Sequence, residues 1–253
     1  MNKLESKYGL MAVSVSAVLA ALIIWQIAGT YGGLFWLLPP SEILSATWSE
    51  TINGALPAAA AQTLLIALIG VVVGSVLGVA VGALMGYYDA WNAVLDPLVK
   101  IGFAAPLVML VPVISIYFGM GTTAKIAFTV LFCIFIVIIN TAAGLREVPD
   151  EVMEMARAFE VTPRAMMARI LIPWAGPYIL TGIRMSVGRS IQGALIADLF
   201  LRAEGLGLYM IKAGSSFELD HLYAAVLVLT VLGALVMSMA KAGENRLLAW
   251  KTA

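Results

Sequence analysis

The chain has 253 residues, 62% of them hydrophobic and 12% charged, with 15 Lys and Arg balancing 15 Asp and Glu. That is about half the charge density of an average soluble domain, which excludes a water-soluble globular fold. Zero net charge leaves no global field to draw a nucleic acid or a strongly charged partner.

In chain order, residues 8–41, 51–88, 101–124, 126–145 and 222–240 contain no Asp, Glu, Lys or Arg. A helix needs roughly 20 residues to cross about 30 Å of hydrocarbon, and each run is about that long or longer. A sixth apolar segment, 170–198, is interrupted by Arg184 and Arg189 but is long enough to span. Backbone polar groups in lipid must be paired within their own segment, and no alternating strand pattern is present, so helices are predicted. The pattern predicts an all-α integral membrane protein, a single transmembrane domain over 1–253 with spans at about 9–29, 60–87, 94–118, 124–146, 170–198 and 222–242. The first apolar run, 8–28, is longer than the core of a signal peptide and reads as a retained span.

The second span carries Gly70, Gly74, Gly78, Gly82 and Gly86, one every four residues. Such a stripe lets another helix approach closely, within the chain or from a second copy. In the third span Pro97 suits a helix start, whereas Pro106 and Pro112, on either side of Met109, should kink or break the interior. Broken helices in membranes are tolerated where they are buried in protein or line a cavity, so Pro106, Met109 and Pro112 either line a pathway or mark a plain packing kink.

The fifth span holds Arg184, Arg189, Gln192 and Asp198. Ionisable groups at membrane depth face the bundle interior or a wet cavity, which makes Arg189 and Gln192, nearest the middle, pathway candidates. Arg184 is expected to snorkel to the cytoplasmic interface and Asp198 to sit in the outer headgroup layer. Cys133, the one cysteine, lies in an apolar run and suits small-residue packing. His221, the one histidine, stands beside Asp220 and reads as a solvated loop residue; without a second His or Cys no metal site is expected, and no catalytic residue is assigned. The chain has no GxxxxGK[ST] loop, so ATP-driven work would need an ATPase on another polypeptide.

Orientation follows from Lys and Arg. With the N-terminus in the cytoplasm, cytoplasmic segments hold Lys3, Lys7, Lys100, Arg146, Arg157, Arg164, Arg169, Lys241, Arg246 and Lys251, against Lys125, Arg202 and Lys212 outside. Residues 30–59 hold no Lys or Arg, as an outward loop should. Both termini and the loop 147–169 are thereby placed in the cytoplasm.

That loop runs into EMARAFEVTPRAMMARILIP, residues 154–173, which holds five of the 30 charged side chains. Pro149, Asp150 and Glu151 make a helix start, with acidic groups at the positive end of the helix dipole. Val152, Met155, Ala156 and Phe159 recur at i, i+3, i+4 and i+7 as a narrow apolar face, while Glu151, Glu154 and Arg157 lie opposite. Thr162 and Pro163 cap and begin a second short helix that carries Arg164 and Arg169, and Pro173 precedes the fifth span. Nothing in the sequence is assigned to cover the apolar face. It is either an amphipathic cover on the membrane surface or a docking element for a cytoplasmic partner.

This stretch resembles the cytoplasmic loop of permease subunits of ATP-binding-cassette (ABC) importers, whose pattern is Glu-Ala-Ala, three residues, Gly, nine residues, Ile, any residue, Leu-Pro. Glu154, Met155 and Ala156 take the first three places, Glu160 the glycine place, Ile170 the isoleucine, and Ile172 with Pro173 the last two. Spacing is kept throughout, while Met155, Glu160 and Ile172 depart in identity. Glu160 matters most, because a glutamate adopts a glycine's turn at some steric cost. LPPSEIL, VLDPLVK, NTAAGLREVP, GLGLYM and ENRLLAW resemble the nitrate, sulfonate and taurine branch of these permeases, so the likeness covers nearly the whole chain.

The resemblance implies a type I importer transmembrane domain with a cytoplasmic coupling helix. Two permease copies would form the pathway in a bacterial inner membrane. Two ATP-binding-cassette ATPase subunits would bind the loops, and a periplasmic or extracellular solute-binding protein would deliver a small solute. On that resemblance Glu154, Met155, Ala156, Arg157, Phe159, Thr162 and Arg164 belong to the ATPase-docking loop, with Glu160 and Pro163 setting its turn. No cofactor is expected in this chain, ATP and Mg being bound by the ATPase. Arg189 and Gln192 tilt the solute toward an anion such as a sulfonate or nitrate. The alternative, a secondary transporter or channel, expects a coupling carboxylate at the bilayer midplane, and the candidate is Asp198, near an edge.

Overall fold

A computed structural model of the chain describes residues 3–201 and 204–248, and every regular element among them is helical. The helices are α1 (Lys3–Tyr31), α2 (Pro40–Ile52), α3 (Ala55–Tyr87), α4 (Asp89–Ala104), α5 (Val111–Phe118), α6 (Thr122–Arg146), α7 (Asp150–Ala158), α8 (Pro163–Met166), α9 (Ile172–Phe200), α10 (Leu206–Ser215) and α11 (Leu219–Leu247). Five helical segments are long and apolar enough to cross a membrane: Val13–Tyr31, Ala55–Tyr87, Thr122–Arg146, Pro163–Phe200 and Leu219–Leu247. The pair Asp89–Ala104 and Leu107–Phe118, bent by 98°, makes a sixth if taken as one broken span.

The chain divides into two compact units. One comprises the residues up to Ala58 together with Tyr209–Val228, and the other comprises Ala59–Leu208 together with the residues from Leu229 onward.

In the larger unit α6 is the central helix, apolar on nearly every side. The glycine stripe of α3 lies against it: a Cβ added at Gly74 would stand 2.6 Å from Cys133 Cβ, at Gly78 2.7 Å from Val137 Cβ, and at Gly86 2.7 Å from Leu145 Cβ. Gly70 meets Thr129 and Gly82 meets Thr141, so both helices use residues four apart, on neighbouring turns of the same face. The glycine stripe is therefore spent inside the chain. On its other side α6 packs along α9, where Gly182 and Gly193 admit Asn140 and Phe132.

The third span breaks where its sequence requires. Pro106 has no N–H and forces Ala105 into an extended conformation (φ −64°, ψ 142°), so α4 stops at Ala104. A single 3₁₀ turn, Leu107–Leu110, then redirects the chain into α5. Two of the three expected proline effects are corrected. Pro112 falls in the first turn of α5, where a missing N–H costs nothing, and begins a helix instead of breaking one. Pro97 lies inside α4, which already starts at Asp89, and does not begin it.

In the smaller unit, α2 occupies part of the outward loop expected between the first two spans. Pro40 is in its first turn and Glu42 beside it suits the positive helix end. Gln26 of α1 anchors it, accepting a hydrogen bond from the Ser41 N–H at 3.1 Å and donating to Ser41 Oγ at 2.9 Å. One of the N–H groups that a helix start leaves without a partner is thus satisfied by a side chain.

Replacing Gly82 by Ala tests the α3–α6 contact, because the new methyl would stand 2.7 Å from the Ile138 carbonyl oxygen, a backbone atom that cannot step aside. A loss of about 1–3 kcal/mol is expected. Gly233→Ala, with nothing within 4 Å of the added carbon, should be neutral or stabilising by about 0.5–1 kcal/mol. Thermal unfolding of the two variants in detergent micelles gives the comparison, and equal behaviour would refute the contact.

Candidate functional site

The loop between α6 and α9 is built on α7. Asp150 and Glu151 occupy its first turn and Arg157 its last, each matched to the helix dipole. Val152 and Ala156 turn inward, packing with Leu145, Val148, Met166 and Leu171. Ala156 is 5% exposed, whereas Met155 is 59% and Phe159 78% exposed. The expectation of an uncovered apolar face is thus corrected: the chain covers the half formed by Val152 and Ala156. Met155 lies at the edge of the stripe and Phe159 at the helix end, where the chain turns away. Ala156 holds the helix in place, and the exposed surface is made by Met155, Phe159 and the polar Glu154 and Arg157.

After Phe159 the chain makes the turn anticipated for Glu160, whose φ is 52°. The Val161 N–H donates to the Ala156 carbonyl at 3.0 Å and the Glu160 N–H to the Arg157 carbonyl at 2.9 Å. These are the two bonds of a Schellman termination, with Glu160 in the left-handed place and Val161 packed beside Ala156. Thr162 caps α8, its hydroxyl accepting from the Ala165 N–H at 3.4 Å, and Pro163 is the first helical residue. Arg164 is exposed. No break occurs at Pro173. A π turn, Met167–Leu171, widens the helix ahead of the proline, and the helix runs on from Pro163 to Phe200. Glu154 and Arg157 also line a cleft of about 310 Å³ with Asp89, Arg146 and Asp150.

Of the pathway candidates, Pro106, Met109, Pro112 and Gln192 are exposed and Arg189 is half-buried. The guanidinium of Arg189 lies over the Phe103 ring, 5.2 Å from its centroid, which fixes it beside the break in the third span. Arg184 does not simply snorkel: its Nε pairs with Glu244 of α11 at 2.6 Å, and Thr181 donates to the same carboxylate at 2.9 Å.

Asp198 corrects the sequence reading. It is fully buried, not in a headgroup layer, and forms an ion pair with Lys125, whose side chain is 3% exposed. Thr63 donates to Asp198 Oδ2 at 2.6 Å and accepts from the Leu206 N–H at 2.9 Å, while the Lys125 ammonium also donates to the Glu204 carbonyl. Gly205 and Gly207 are required here, since a Cβ on either would strike Asp198. The network ties α3, α6 and α9 to the start of α10. The signal in the sequence was that Lys125 and Asp198 end two spans on the same side of the membrane.

In the smaller unit the Tyr209 hydroxyl donates to Glu50 at 2.8 Å. Burial, and then that carboxylate, push the phenol well above its ordinary range, so it remains a donor. His221 is in the first turns of α11 and not in a loop, with Glu50 at 3.7 Å and Glu218 at 3.4 Å.

Long apolar helices, with α3 and α9 packed on α6, a bent helical loop at one end and the Lys125–Asp198 pair buried at the other, define a multi-pass membrane protein. A family described as the binding-protein-dependent transport system inner membrane component matches residues 74–248. The formylaminopyrimidine transport permease protein ThiX of Halalkalibacterium halodurans is 30% identical over 237 residues, which cover 92% of this chain and 93% of the relative. The putative aliphatic sulfonates transport permease protein SsuC of Bacillus subtilis is 29% identical over 250 residues, covering 98% and 90%. A solved chain of the MetNI methionine ABC transporter, in an inward-facing conformation, has the same fold, with a TM-score of 0.66 at 18% identity over 78% of this chain and 98% of that one. The chain belongs to the family of binding-protein-dependent transport system inner membrane components and is the permease subunit of an ABC importer.

Substitutions at two places, the buried pair and the turn, test the local physics. Asp198→Asn strands a buried ammonium and should destabilise by about 3–5 kcal/mol, while Lys125→Met with Asp198→Leu should recover most of that loss. Glu160→Gly exchanges a left-handed strain of about 1–2 kcal/mol for a smaller entropic penalty and should stabilise slightly. Thermal unfolding in micelles reads both, and a destabilised glycine variant would show that the carboxylate makes a contact of its own.

Proposed function

We propose that this chain crosses a bacterial inner membrane six times with both termini in the cytoplasm, and that α7 is the coupling helix on which an ATPase subunit docks. The observation that carries this reading is the division of α7: Val152 and Ala156 are clamped to their own chain, while Met155 and Phe159 stand free. A helix gripped on one side and apolar on the other transmits a push, because the grip stops it rolling under load. Glu160 and Pro163 set the angle at which the push reaches the fifth span. The excess of Lys and Arg on the same side as this loop supports the orientation.

In the working assembly two copies enclose the pathway, two ATPase subunits bind ATP and Mg, and an external binding protein delivers the solute. Closure of the ATPase pair would rock the spans between inward-open and outward-open states, each stabilised by its own contacts. Pro106, Met109, Pro112, Arg189 and Gln192 line the route. Arg189, held beside the break by Phe103, suits a small anion, and the relative named for aliphatic sulfonates fits that class.

Phe159→Ala and Met155→Glu should each reduce co-purification of the ATPase at least tenfold while leaving thermal unfolding of the permease unchanged. An unchanged yield of ATPase would remove α7 from the interface. In reconstituted vesicles, uptake should require ATP, the ATPase and the binding protein. Uptake driven by an ion gradient alone would overturn the assignment of roles.

A further inference from the structure

The smaller unit contains a groove that the transport reading does not use. Along α2, Glu42, Ser45 and Ser49 fall at i, i+3 and i+7 and so share one face of the helix. That face lines a cavity of about 640 Å³, whose other lining residues include Phe35, Phe217 and Asp220. The volume is in the range of sites that hold a ligand or an inserted side chain. Phe35 is 72% and Phe217 74% exposed, and an aromatic ring left in water beside a cavity is a ready contact surface.

The charges of the groove select its occupant. The Ser45 and Ser49 hydroxyls are committed to carbonyls of their own helix, those of Glu42 and Ala46. The acidic side chains on the wall are those of Glu42 and Asp220. Beyond the wall, Glu50 and Glu218 add to the negative field, and between Val13 and Ala58 and across Tyr209–Val228 the one Lys or Arg is Lys212. In the topology proposed above this unit's loops face outward, where the ATPase cannot reach.

We propose that this groove docks a lysine- or arginine-bearing segment of the external solute-binding protein. The cation sits between Glu42 and Asp220, and its carbon stem lies against Phe35 and Phe217. The proposal deepens the importer reading and rests on its orientation. Charges at the rim of an interface act mainly on the rate of encounter and are screened by salt, which sets the form of the test.

The permease with its ATPase in nanodiscs is presented to the solute-binding proteins of the source organism, purified and tested one at a time, and association is followed by surface plasmon resonance. Glu42→Lys with Asp220→Lys should slow association about tenfold at low salt, the difference closing near 1 M salt, where the Debye length is about 3 Å. Glu42→Gln with Asp220→Asn, a milder change that guards against misfolding, should give a smaller loss in the same direction. If a binding protein associates with wild type and both variants equally, the groove is not its docking site and the importer reading stands. If no binding protein associates with the wild-type complex, that reading fails and the proposal with it. A charge reversal that instead alters the proportion of permease dimers, or the phosphatidylethanolamine retained, assigns the groove to a second copy or to a lipid headgroup and overturns the proposal.

Discussion

Two helices in lipid gain nothing by hiding apolar surface from each other, since the lipid tails are equally apolar, so α3 and α6 must be held together mainly by close contact. Five glycines on α3 allow that contact by bringing the backbones together along a straight line. The partner residues on α6, from Thr129 to Leu145, repeat at the same interval, which keeps the two ridges in register over the height of the membrane. With one side of α6 fixed, its other side is free to receive α9, and both the loop and the fifth span take their positions from that pair.

At one end of this core a buried ion pair does what apolar packing cannot. Lys125 and Asp198 are so deeply enclosed that neither charge is tolerable alone, which makes the alignment of α6 with α9 an all-or-none matter. Thr63 brings α3 into the same arrangement, and the glycines at 205 and 207 let the backbone close over it. At the other end the cohesion is apolar, with Ala156, Met166 and Leu171 forming a small core under α7. The unit is thus pinned by charge at one end and by packing at the other, and its middle is smooth glycine-to-helix contact.

Much of this was legible in the amino-acid order. Charge-free runs located Ala55–Tyr87 and Thr122–Arg146 to within a few residues, because a membrane tolerates few alternatives to a long apolar helix. The left-handed Glu160 followed from the resemblance, in which it takes the place of the glycine. The short helices α2 and α10 escaped, since neither is long or apolar enough for a reading based on spans. Pro97 and Pro112 were misplaced for a shared reason: a proline breaks or begins a helix according to the turn it falls in, and Asp89 and Val111 set those turns. The pairing of Lys125 with Asp198, and the division of α7 into a gripped and a free side, depend on helices distant in sequence. Periodicity within one segment carries no information about them.

The unbroken run from Pro163 to Phe200 has a mechanical consequence. Its 38 residues make a rod about 57 Å long at 1.5 Å per residue. The rod starts beside the turn at Glu160 and ends at the buried carboxylate of Asp198, so a tilt imposed at one end arrives at the other as a sideways displacement. The π turn at Met167–Leu171 softens it close to the end at Glu160, and Pro177 inside α9 removes one more helical bond, so the stiff arm is the stretch beyond Pro177.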